Sequence, residues 1–135
     1  MKTRIAMDFL AASVGVWMVA AIDHSAAADP AEGYSFAAAA QEVSQLFWLA
    51  ETANVCGWAS ADEALRFKRF SVRFLAAHLP ELHMRALTSL VAANGYESAV
   101  RRAAEEGSTQ SCGASRWHDG WVAYKAAADQ REREF

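Results

Sequence analysis

Apolar residues recur at three- and four-residue steps from Phe36 to Ala128, and Val, Ile and Thr are too sparse there to build a sheet. Such patterning confines the chain to an all-α fold, a small bundle of about five helices. Phe36, Ala40, Val43, Phe47, Ala50 and Asn54, with Leu46 and Ala53 beside them, predict a first helix that Cys56-Gly57 ends. Ser60-Ala61-Asp62-Glu63 has the S-x-x-E form of a capping box, so the second helix starts near Ala61. Its Leu65, Phe67, Phe70, Val72, Phe74 and Leu75 form a stripe too wide for one coiled-coil seam, which predicts a central place in the bundle.

Pro80 halts that helix. Proline is tolerated in a first turn and Glu81 suits the positive end of a helix dipole, so a third helix runs over residues 80–93, with Met84, Leu87, Leu90 and Val91 inside. Asn94-Gly95 tolerates the left-handed conformation that stops a helix. A fourth, over residues 96–106, packs through Tyr96, Ala99, Val100 and Ala103. The last carries Trp117, Trp121, Tyr124 and Ala128 on one side and frays into the charged tail, residues 131–135. It starts near Thr109 or near Arg116, because Gly113 weakens the earlier start.

Ahead of the single helical domain, residues 36–130, stands an export signal. Lys2 and Arg4 supply a positive start, Phe9–Ile22 is apolar but for Ser13, and Ala26 and Ala28 offer an A-x-A cleavage site. Residues 1–28 are therefore expected to be removed, leaving residues 29–35 as a flexible leader. As a helix the apolar stretch spans about 21 Å, short of the roughly 30 Å of hydrocarbon, so a retained anchor is the weaker alternative and no integral span is expected after processing. No Cys follows the site to carry a lipid, and the expected address is periplasmic or secreted.

The only two cysteines, Cys56 and Cys112, would meet an oxidising compartment, where pairing is expected. Closing so long a loop is worth about 4 kcal/mol on chain-entropy grounds. Net charge is −3 and stays so when Lys2, Arg4, Asp8 and Asp23 leave with the signal, a balance unsuited to nucleic acid, whose binding rests on phosphate neutralisation. No C-x-x-C, haem or other cofactor motif is present, and none is expected.

Few residues invite chemistry. His78 and His83 flank Pro80, but they lack the four-residue spacing by which H-E-x-x-H turns two imidazoles to one zinc, so no metal is expected. Arg66, Arg69 and Arg73 share one face of the second helix and could meet an acidic partner; the competing reading is a solvated face beside Asp62. Trp48 follows Phe47 and cannot point the same way, and Trp58 comes just after the Cys56-Gly57 stop. These tryptophans either fill the core or line a groove for a peptide or helix.

Arg116-Trp117-His118-Asp119-Gly120-Trp121 resembles the His-Asp pair of secreted phospholipases A2. The resemblance implies a small hydrolase in which His118 activates water and Asp119 helps hold calcium. The Gly-rich calcium loop of that family is missing, since Gly57-Trp58-Ala59 is not one, and no second acid is identified to orient His118. The competing reading is a surface pair on the outer side of the helix. In outline, a short helical bundle with one disulfide joining an early helix to a late one resembles secretin pilotins and, more loosely, periplasmic acid-stress chaperones. That likeness implies a non-enzymatic binding, chaperone or assembly factor whose partner is another envelope protein or peptide.

Overall fold

The computed structural model describes residues 35–134; the expected signal peptide, and the leader up to Ser35, lie outside them. Six helices follow one another: α1 (Phe36–Val55), α2 (Ala61–Ala76), α3 (Glu81–Ala92), α4 (Tyr96–Glu106), the single turn α5 (Ser108–Ser111) and α6 (Ser115–Glu134). The chain is thus all-α, with five long helices where the periodicity places them. Both candidate starts of the last helix lie in helix, but in separate pieces: Thr109 is in α5, while α6 begins at Ser115 after the break at Cys112-Gly113-Ala114.

Local chemistry sets the ends. Ser35, expected to be part of a loose leader, instead caps α1, its Oγ accepting from the Ala38 N–H at 3.1 Å. At the other end Gly57 is left-handed (φ +80°), and the Trp58 and Gly57 N–H groups donate to the Ala53 and Asn54 carbonyls at 2.8 and 3.1 Å. That is a Schellman closure, which a residue with a Cβ at position 57 would strain.

The capping box forms as the sequence predicts: the Glu63 N–H donates to Ser60 Oγ at 3.1 Å, and the Ser60 N–H to Glu63 Oε1 at 2.8 Å. Ser60→Ala is expected to cost about 1 kcal/mol in denaturant unfolding; no change would mean that α2 is held by packing alone. Pro80 stands at the cap of α3, and Gly95 (φ +88°) makes the left-handed step into α4.

The centre of the bundle is α1, not α2. It packs against each of the other five helices and is buried on almost every side, through Ala38, Ala39, Val43, Leu46, Phe47, Leu49, Ala50 and Ala53. Four of these are alanines, which let neighbouring backbones approach closely. By contrast α2 buries Ala64, Phe67, Phe70, Phe74 and Leu75 but keeps an exposed face with Arg66, Arg69 and Arg73. The inner row of α4 also differs from expectation. Tyr96, Val100 and Ala104 face inward at four-residue steps, while Ala99 and Ala103 are exposed.

The last helix, α6, lies along α1 and α2 and buries Trp121, Tyr124 and Ala128. Trp121 meets Phe67 edge-on, with ring centroids 5.0 Å apart. The helix does not fray at Arg131 but continues to Glu134, because Arg131 lies over the Phe74 ring at 5.6 Å and Glu132 reaches Arg73 at 3.5 Å. Cys56 and Cys112 are joined, with Cα atoms 5.3 Å apart. The bond links the end of α1 to the joint just before α6. Among the described residues no helix is long and apolar enough to cross a membrane.

Candidate functional site

The residues that could carry function gather where α6 begins, beside the disulfide. Adjacent residues on a helix point about 100° apart. Phe47 therefore enters the core, edge-on to Tyr96 at 5.7 Å, while Trp48 turns to the outer side of α1. There it meets Trp117 of α6 edge-to-face, centroids 5.0 Å apart and planes at 74°. The guanidinium of Arg116 lies 4.7 Å over the Trp117 ring. One residue along α6, His118 meets Trp58 in the same manner at 5.0 Å. Cys56 is followed within two residues by Trp58, and Cys112 precedes α6, so the disulfide stands beside the Trp58–His118 pair and at the entry to the helix that carries Trp117.

Trp48, Trp58 and Trp117 are all half-buried: they pack against the core yet keep a face toward solvent. Ser44, Gln45, Trp48 and Trp117 line a shallow open groove of about 490 Å³. Gln45 Oε1, buried at its edge, has no hydrogen-bond partner among the described residues. Trp48 and Trp117 thus do both jobs considered from the sequence, packing on the core on one side and lining a groove on the other, while Trp58 packs on the core and meets His118 away from that groove.

His118 and Asp119 do stand together, Nδ1 to Oδ1 at 4.0 Å, with 49 % and 75 % of their side chains exposed. The ring is held by Trp58 rather than by a second acid. Gly57 and Trp58 use their N–H groups to close α1. With both thiols in the disulfide, no cysteine is free. His78 Nδ1 donates to the Phe74 carbonyl at 2.8 Å, and the His83 ring rests against Phe36 at 5.8 Å, so the two histidines have separate surroundings. Among the described residues no group of three metal-ligating side chains converges.

Of the basic stripe, Arg66 borders a small cleft between α2 and α6 beside Glu63, Asp129 and Glu132. Arg73 lies 5.7 Å over Phe70 and pairs with Glu132, whereas Arg69 is exposed. Acids from two helices therefore stand within the stripe.

Comparison with known proteins gives no match. This holds for protein families, curated proteins and solved structures alike.

Two buried polar features were not found from the sequence. Lys68, on α2, is buried and holds Glu51 of α1 and, at 2.8 Å, Glu97 of α4. Arg101 of α4 reaches Glu51 at 3.0 Å, Asn54 at 2.6 Å and Glu105 at 3.0 Å, so one buried carboxylate ties three helices. Burial lowers the affinity of Lys68 for its proton, but the hydrogen bonds and charges of Glu51 and Glu97 outweigh that and hold its pKa above the ordinary lysine value. The second feature is Glu42, on α1, whose carboxyl is buried without a cation. Both acids occupy positions in step with apolar neighbours, Glu42 between Ala38 and Leu46 and Glu51 four residues after Phe47. That phase was the available signal.

Proposed function

We propose that this chain is an exported, non-enzymatic binding or assembly factor that receives an apolar segment of another envelope protein or peptide along the Trp48–Trp117 seam. The supporting observation is the half-buried tryptophan pair over an open groove, carried by two helices that the disulfide joins. Large aromatic surfaces fixed before binding lose little conformational freedom when a partner covers them, which is why tryptophan dominates many interfaces. Export follows from the leader pattern of residues 1–28, and a disulfide suits the oxidising compartment to which that leader is directed.

Affinity capture from periplasmic extract, comparing wild type with Trp48→Ala and Trp58→Ala, tests the reading. Wild type is expected to retain a discrete partner, and Trp48→Ala to weaken it about thirtyfold, the effect of losing a central aromatic anchor. No retained partner, or equal retention by both variants, would refute it. A phospholipid-hydrolysis assay with calcium is expected to show no turnover; turnover lost in His118→Ala would place the chain among hydrolases instead.

A further inference from the structure

Glu42 is 2 % exposed, and neither of its carboxyl oxygens has a hydrogen-bond partner among the described residues. An unpaired carboxylate in an apolar interior is costly enough that the group keeps its proton. Burial accordingly pushes the Glu42 carboxyl from 4.5 up to about 8. The helix facing it is α6, whose fully buried Tyr124 is held protonated by its own burial, with any negative charge on Glu42 adding to that.

The cations that α2 and α4 bring to α1 are engaged elsewhere. Lys68 from α2 holds Glu51 and Glu97; Arg101 from α4 holds Glu51 and Glu105. His83 from α3 rests on Phe36; Tyr96 from α4 meets Phe47 with its ring, and its hydroxyl is buried without a hydrogen-bond partner among the described residues. One turn to either side on α1 stand Ala38, Ala39, Gln45 and Leu46, none of them titratable.

The same α6 is attached in a way that permits movement. Its packing is chiefly on α1 and α2, and the non-helical stretch Cys112-Gly113-Ala114 precedes it. Around Gly113 there is open space, the nearest atom to a Cβ placed there being the Gln110 carbonyl oxygen at 4.0 Å. The disulfide anchors this joint to the end of α1, so α6 can leave its seat without leaving the molecule.

We propose that the protonated Glu42 carboxyl is a latch: when it ionises, water enters, and α6 swings off α1 and α2 about the Cys112–Ala114 joint, parting Trp48 from Trp117. The release stands on the α1–α6 seam alone, whereas its effect on a partner rests on the function proposed above. With α6 released, Glu42 meets water and titrates near 4.5; with α6 seated, near 8. Below 4.5 both forms carry the proton and seating is strongest. Between 4.5 and 8 only the seated form keeps it, so release becomes more favourable with rising pH and levels off above 8. The steepest slope this linkage allows is about tenfold per pH unit.

Hydrogen exchange of the oxidised protein between pH 5 and pH 8, corrected for the intrinsic pH dependence of amide exchange, tests the latch. The protection of α6 amides is expected to fall by about a hundredfold or more across that range, while amides of α2 and α4 keep theirs. In Glu42→Gln, and in the fully apolar Glu42→Leu, α6 protection is expected to be flat with pH. A flat wild-type profile, the same fall in both variants, or a fall in α2 and α4 in step with α6 would overturn the proposal. No partner enters the experiment, so its failure leaves the binding reading standing, and a failed capture experiment leaves the latch standing.

Discussion

Replacing Glu51 by Leu is expected to lower the stability of the fold by about 3 kcal/mol, seen as a lower denaturant midpoint at unchanged slope. The side chains of Glu51 and Lys68 are each 8 % exposed, so removing the acid leaves a buried ammonium short of one partner. The loss stays at the lower end for a broken buried pair, because Glu97 still reaches Lys68 and Arg101 is already 40 % exposed. The double variant Glu51→Leu with Lys68→Met is expected to recover most of the loss, since apolar side chains of similar volume carry no desolvation cost. Recovery would show as a positive coupling in the double-mutant cycle. A single-variant loss below about 1 kcal/mol, the range of an exposed pair, would mean that this cluster does not clasp α1, α2 and α4.

Removal of the disulfide by Cys56→Ser with Cys112→Ser should be larger still, about 4 kcal/mol. The bond closes a loop of sequence separation 56 and so restricts the unfolded chain strongly. In the folded state it secures the entry to α6, where Trp117 meets Trp48 and His118 meets Trp58. The variant is therefore expected to lose protection first in α6 and to shift tryptophan emission toward that of solvated indole. A loss under about 1 kcal/mol would leave packing of α6 on α1 and α2 as the main tie.

The helices themselves are written locally. Ser60 with Glu63 and Gly57 after Cys56 act within a turn of their own position, and each does in the fold what its chemistry predicts; Gly95 is left-handed as expected, but it leads into α4, while α3 ends on the extended Ala93. The disulfide is equally legible, because only one intramolecular pairing exists for two cysteines. What the chain conceals is set between helices. The wide apolar stripe of α2 points to a central helix, yet the small residues of α1 admit five neighbours and take that place.

Lys68 reads as one more cation beside Arg66 and Arg69. Its burial is answered by the equally buried Glu51 of α1 and by Glu97 of α4, two partners that only the packing of the helices brings to it. The contact of Trp48 with Trp117 likewise requires knowing that α6 enters beside the disulfide. Glu42 is the opposite case: its position between Ala38 and Leu46 marks it as inward-facing, but only the fold shows that both its carboxyl oxygens are buried without a partner among the described residues. The charged residues after Ala128 suggest a frayed end, and two contacts made by Arg131 and Glu132 with α2 keep it helical.

The most direct measurement is the intact mass of the protein isolated from its native cells, with and without reduction before thiol alkylation. An amino terminus at Asp29 and no alkylation until reductant is added is the expected result, that of an exported unit closed by one disulfide. A chain that still begins at Met1 and takes up two alkyl groups without reduction would contradict both the address and the staple.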